Sequence, residues 1–92
     1  MENLINIDIT GVGSREELHK VLRKSLDALD YYGDNLDALY DVLTEKGEHK
    51  VIFFFYSEQS RNALGEYFDA LTDVCLDASA ELDDLKVNFI VV

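Results

Sequence analysis

The chain has 92 residues, 48% of them apolar, and its nineteen Asp and Glu against eight Lys and Arg give a formal net charge of −11. That length makes a single domain over residues 1–92. The charge argues against a nucleic-acid binder, which needs a basic face to neutralise phosphates, and against a protein drawn to an anionic membrane surface; its simplest reading is solubility. It favours a basic protein partner through complementary fields, and it makes a monomer the default.

The elements follow from changes of period. "LINIDIT" (Leu4 to Thr10) alternates branched residues at Ile5, Ile7 and Ile9 and predicts a strand. "GVGS" breaks it, and Ser14 with Glu17 three residues later forms a capping-box pattern that starts a helix. That helix carries Leu18, Val21, Leu22, Ser25, Leu26 and Leu29 along one stripe. "YYGD" interrupts it, with Gly33 suited to a turn that other residues resist. Asp34 or Asn35 then caps a second helix, with Leu36, Leu39, Tyr40 and Leu43 on its inner side.

"KVIFFFY" is apolar without alternation, as in a strand buried on both faces. A short helix begins at Ser57 and ends near Gly65, and a longer one runs from Glu66 to about Leu82 with Phe68, Leu71, Cys75 and Ala78 at helical spacing. "KVNFIVV" makes a terminal strand. Helical crossovers between strands favour parallel pairing and right-handed connections. The predicted fold is therefore a small α/β domain, β-α-α-β-α-α-β, with a three-stranded parallel sheet and flanking helices.

No signature of catalysis accompanies this fold. His19 lies among charged neighbours and reads as a surface side chain, and His49 falls in a loop. Neither has a second ligand at metal spacing, so no metal is expected. "GVGS" is not a nucleotide fingerprint and no Walker-type lysine follows it, so no cofactor is expected. Cys75 sits on an apolar helix face as a small buried hydrophobe, and as the one cysteine it has no disulfide partner in the chain. The chain opens without a basic segment followed by an apolar run, and Val51 to Tyr56 is far too short to span a bilayer, which points to the cytoplasm.

The acidic residues carry the functional signal. Between Ser25 and Glu45 stand six acids (Asp27, Asp30, Asp34, Asp37, Asp41, Glu45) and no Lys or Arg. Asp34, Asp37 and Asp41 share one side at three- and four-residue spacing, where like charges repel by roughly 0.2–0.5 kcal/mol per pair. Tyr40 lies between that side and the apolar one. Asp34 is excused as a cap, whereas Asp37 and Asp41 are not. A second row, Asp69, Asp73, Asp77 and Glu81, reads as a solvated face. Two carboxylates beside an aromatic on a short helix suit a cationic pocket built for a phosphodiester, whose charge they imitate in charge-assisted bonds to arginine.

The stretch "YYGDNLDALYDVLT" strongly resembles the barstar family of ribonuclease inhibitors, whose central segment has the form YYG-acid-NLDALWD-x-LT. The match is dense over fourteen residues, and the order and length of the other elements fit along the chain. The resemblance implies a three-stranded parallel sheet with flanking helices and an intracellular inhibitor, not an enzyme, that covers the active site of a barnase-like, basic microbial ribonuclease. By the motif, Asp41 is the central carboxylate standing where an RNA phosphate binds, and Asp37 pairs with basic residues nearby. Tyr31 stacks on the nuclease, and Gly33, Asn35, Tyr40 and Thr44 lie at the contact. A weaker local match in "VCLDASAE" adds Asp77. Tyr40 stands where the family has tryptophan, and "EKGEHK" lacks the family's Gly-Trp pair. That altered loop, Glu45 to Lys50, motivates an alternative: a barstar-like binding module or antitoxin for a different basic protein.

Overall fold

The strongest local signals in the chain are its helix starts, and those at Ser14, Asn35 and Ser57 are each met by a capping side chain. In a computed structural model that describes residues 2–27, 32–45 and 49–92, the order is β1 (Glu2–Asp8), α1 (Arg15–Ser25), α2 (Leu36–Leu43), β2 (His49–Tyr56), α3 (Glu58–Leu64), α4 (Glu66–Glu81) and β3 (Leu85–Val91). Ser14 Oγ accepts the Glu17 N–H at 3.2 Å to open α1. Ser57 and Ser60 form a reciprocal capping box at α3. Gly65 ends α3 and begins α4 at φ +59, in the left-handed region where a side chain is strained.

The strands form one parallel sheet in the order β1-β2-β3, the α/β arrangement expected of the element order. α1 packs on β1, α4 packs on β3, and α2 lies against α4. Between helices and sheet sits a core in which Ile7, Leu18, Leu22, Leu39, Ile52, Phe54 and Leu71 have no exposed surface. Phe54 stacks on Phe89 with ring centroids 4.7 Å apart and planes 6° from parallel.

Two local expectations are corrected. Asn35, not Asp34, caps α2: its Oδ1 accepts the Ala38 N–H at 2.7 Å. The left-handed residue of the preceding turn is Asp34, at φ 55, whereas Gly33 does not take a positive φ. Asp34 instead ion-pairs with Arg23 of α1, so a basic residue from outside the acidic segment answers it. Asn35→Ala should lower the stability of the free protein by about 1 kcal/mol, the usual scale of a lost N-cap, measured by urea denaturation.

The central strand is also less enclosed than its composition implies. Along β2, Ile52 and Phe54 are buried, but Val51, Phe53 and Phe55 are only half-buried. The reason is topological. The chain crosses the sheet in the same direction twice, so connections of one hand put both helix pairs on the same face. His49 is the exposed first residue of β2 rather than a loop residue. Leu29, Tyr31 and Lys46 to Glu48 lie outside the described residues.

Candidate functional site

α2 is short but firmly oriented. Leu39, Val42 and Leu43 are buried, and Leu36 and Tyr40 are half-buried against the core. Val42, which the sequence reading left out, completes the apolar stripe. Rooting that stripe turns Asp37 and Asp41, four residues apart, onto an exposed ridge. Neither forms an ion pair among the described residues. Asp37 lies in the first turn, where the helix dipole favours an acid. Asp41 lies in the last turn, where the dipole opposes one, and that turn holds no basic residue. The end of the helix is served from elsewhere, since the buried Lys50 donates from Nζ to the Val42 carbonyl at 3.1 Å.

The other expected contact residues cluster at the two ends of α2. Asn35 Nδ2 donates to the Gly33 carbonyl at 3.0 Å, stiffening the turn before the helix. A Cβ on Gly33 would reach Asn35 Nδ2 at 3.4 Å and Ala38 Cβ at 3.5 Å, so the backbone passes close to the helix start. Thr44 caps the C-terminal end, its hydroxyl donating to the Tyr40 carbonyl at 2.8 Å. Asp77 is set apart: it is exposed on α4, the helix packed beside α2.

The largest departure from expectation is His19. It is buried, not a surface side chain, with 3% of its area exposed. Its Nδ1 lies 2.6 Å from the Tyr32 hydroxyl and its Nε2 2.5 Å from the Tyr67 hydroxyl. A neutral imidazole has one N–H and one lone pair, so one tyrosine donates to it and the other accepts from it. This bridge ties the turn before α2 to both α1 and α4. Arg15 reinforces it, its guanidinium carbon 4.4 Å from the Tyr67 ring centroid. His19 stands between Leu18 and Leu22 at the edge of the apolar stripe, a weak hint of burial. Its partners are 13 and 48 residues away, beyond any local period.

Burial holds the His19 imidazole below its ordinary value, with Arg23 acting in the same direction and Asp34 opposing. The sign of the linkage follows. Below the ordinary value of about 6.5, the unfolded chain takes up the proton while the folded one resists it, so stability falls as pH falls until the folded value is passed. Urea midpoints should therefore decline between pH 7 and pH 5, and His19→Gln should flatten that part of the decline. Burial also raises the Tyr32 and Tyr67 hydroxyls, keeping both protonated, so that either can serve as the donor or the acceptor of its bond to His19.

Little of this resembles a reaction centre. Both ring nitrogens of His19 are engaged, leaving none for a substrate proton. The Cys75 thiol is buried and pushed up to about 12, far from a reactive thiolate. A cleft between α1 and the start of α2 is lined by Arg15, Lys20, Arg23, Asp34, Asp37 and Tyr67, a mixed set in which Arg23 and Asp34 neutralise one another. Among the described residues, no three His, Cys, Asp or Glu side chains gather as metal ligands, and no helix is long and apolar enough to cross a membrane.

The family model described as "Barstar (barnase inhibitor)" matches residues 2–92, a span that takes in every strand and helix. The chain belongs to the barstar family. It is also similar to "Putative ribonuclease inhibitor YrdF" of Bacillus subtilis (strain 168), 41% identical over 70 residues that cover 75% of this chain and 77% of that protein. From Asn35 to Thr44 the barstar motif falls on one structural unit. Asn35 caps α2, Leu39 and Leu43 root it, Asp37 and Asp41 form its exposed ridge, and Thr44 closes it.

Proposed function

We propose that this protein inhibits a basic, barnase-like ribonuclease in the cytoplasm by laying α2 and the turn before it across the nuclease active site. Asp41 stands where an RNA phosphate binds, and Asp37 meets neighbouring cations. Tyr31 and the half-buried Tyr40 frame the two acids, and Gly33, Asn35 and Thr44 line the edge of the contact. Asp77 reaches a basic residue at the periphery. The protein performs no chemistry itself.

The observation that carries this reading is the state of Asp41. It is exposed, lacks a cation partner among the described residues, and sits at the helix end whose dipole disfavours it. A free protein gains nothing from that arrangement, whereas a complex with an arginine-lined pocket gains charge-assisted bonds. Family membership and the similarity to YrdF support the same direction. Net charge adds a kinetic consequence, because an acidic protein is steered onto a basic one and association slows steeply with salt. Barnase–barstar association is the known model for such steering.

A panel of microbial guanyl-specific ribonucleases, each assayed for RNA cleavage with this protein added, tests the proposal. Inhibition of at least one, weakening as salt rises, is expected. A second reading rests on the Glu45 to Lys50 segment, where the family's Gly-Trp pair is missing: the same ridge serves a different basic protein. Capture of a partner without RNA-cleaving activity, with the whole panel uninhibited, favours that reading.

A further inference from the structure

We infer that the outer face of the β-sheet is a self-association surface that receives a second copy of this chain. Strand order and burial define the face. Inner-face residues such as Ile5, Ile7, Ile52, Phe54, Val87 and Phe89 belong to the core or pack on it. Leu4, Val51, Phe53, Phe55 and Ile90 do neither. The register aligns this outer face in three rows: Leu4 with Val51 and Lys86, Asn6 with Phe53 and Asn88, and Asp8 with Phe55 and Ile90. Leu4 is 67% exposed, Ile90 38% and the adjoining Val92 70%. An all-parallel sheet is ordinarily covered on both faces, and a contiguous apolar patch ordinarily marks a contact. Three aromatic or branched residues in a row on the outside of a central strand are not needed for solubility in a chain of this charge.

The occupant follows from the charges at the rim. The only ionic side chains among the three rows are Asp8 and Lys86, at diagonally opposite corners. Within those rows a strongly basic partner meets Lys86 as well as Asp8, whereas a second copy can match both. A twofold axis in the plane of the contact, running along the diagonal from Leu4 through Phe53 to Ile90, brings Asp8 of each copy over Lys86 of the other. The same operation sets Phe53 against its own twin, Val51 against Asn6 and Phe55 against Asn88. Strands of the two sheets then cross near a right angle, one of the two standard ways for sheets to pack, and the contact is self-complementary as a twofold demands. Asp8 is already shaped for the role: its Oδ1 accepts from the Thr10 N–H and hydroxyl at 2.9 and 2.7 Å, leaving Oδ2 for the facing lysine.

Size and charge set the strength. Three strands about 4.8 Å apart and five residues at about 3.3 Å each make a face small enough that the dimer buries less than about 1,200 Å², the range of weak and transient complexes. Two chains of charge −11 also repel, so salt strengthens this contact, opposite in sign to its effect on nuclease binding. α2 lies in the helix layer on the other side of the sheet, so each copy keeps its ribonuclease-binding ridge free, and the inference stands apart from the proposed function.

Sedimentation equilibrium from micromolar to millimolar protein, at low and high salt, tests it. A monomer at the low end is expected, with a dimer fraction that grows with concentration and moves to lower concentration in salt. Phe53→Glu should raise the dimer dissociation constant about tenfold or more, the scale of a central contact. Lys86→Glu and Asp8→Lys should each weaken association, and the double swap D8K/K86E should recover it. Dilution of the unaltered protein followed by amide NMR gives a reading that needs no variant: shifts confined to Leu4, Val51, Phe53, Phe55 and Ile90 support the surface. A monomer at every concentration, Phe53→Glu associating like the parent, or dilution shifts centred on α2 would overturn it.

Discussion

Asp41→Ala should weaken binding to a cognate ribonuclease by about 2–5 kcal/mol, roughly thirtyfold to several thousandfold, the scale of truncating one partner of a buried charge pair and one documented on barnase–barstar, a complex of this family. Most of that loss is expected to come from nuclease cations left desolvated in the complex without a carboxylate to meet them. The same substitution should leave the free protein as stable as before or slightly more so. It removes a like charge four residues from Asp37 and an acid from the negative end of α2. Asp37→Ala should differ in kind, because that carboxylate sits in the first turn and favours the helix. Its removal should weaken binding and also take a few tenths of a kcal/mol from stability. Calorimetric titration against the nuclease, paired with urea denaturation of each variant alone, separates the two. An Asp41→Ala protein that binds normally a ribonuclease the parent inhibits would remove Asp41 from its role.

Phe54→Ala should destabilise the fold by about 3–5 kcal/mol, a large share of the 5–15 kcal/mol that a domain of this kind possesses. Phe54 has no exposed surface, stacks on Phe89 and occupies the inner face of the central strand, where little can collapse into the space it leaves. Phe53→Ala, one residue earlier, should cost only about 1 kcal/mol, the span of strand preference on a partly open face. The difference between neighbours measures the one-sidedness of the sheet directly. Urea midpoints with unchanged slope report it. Equal losses at both positions would mean that β2 is enclosed on both faces in solution.

How much of this the sequence shows depends on the range of the interaction. Helix starts are legible because a cap is a contact over three residues, as at Ser14, Asn35 and Ser57. The terminal strand and the stripe Phe68, Leu71, Cys75, Ala78 are legible because burial imprints the period of the element. "KVIFFFY" misleads because Val51, Phe53 and Phe55 are apolar although they do not pack on the core, so composition hides which face is sealed. His19 misleads because its burial depends on Tyr32 and Tyr67, brought to it by the tertiary fold. Asp34 reads as a cap or as part of an unanswered acidic set until α1 places Arg23 beside it. The exposed ridge is legible as a pattern of charges, because exposure at Asp37 and Asp41 follows from burial of Leu39 and Leu43 on the same helix.

The central claim is that α2 occupies the place of RNA in the nuclease active site. Steady-state cleavage by a barnase-like ribonuclease, measured with this protein titrated at several RNA concentrations, tests it most directly. The apparent inhibition constant should rise in proportion to substrate, as competition for one site requires, and Asp41→Ala should shift the whole series to weaker inhibition. Inhibition that ignores the RNA concentration, or none at all, would contradict it.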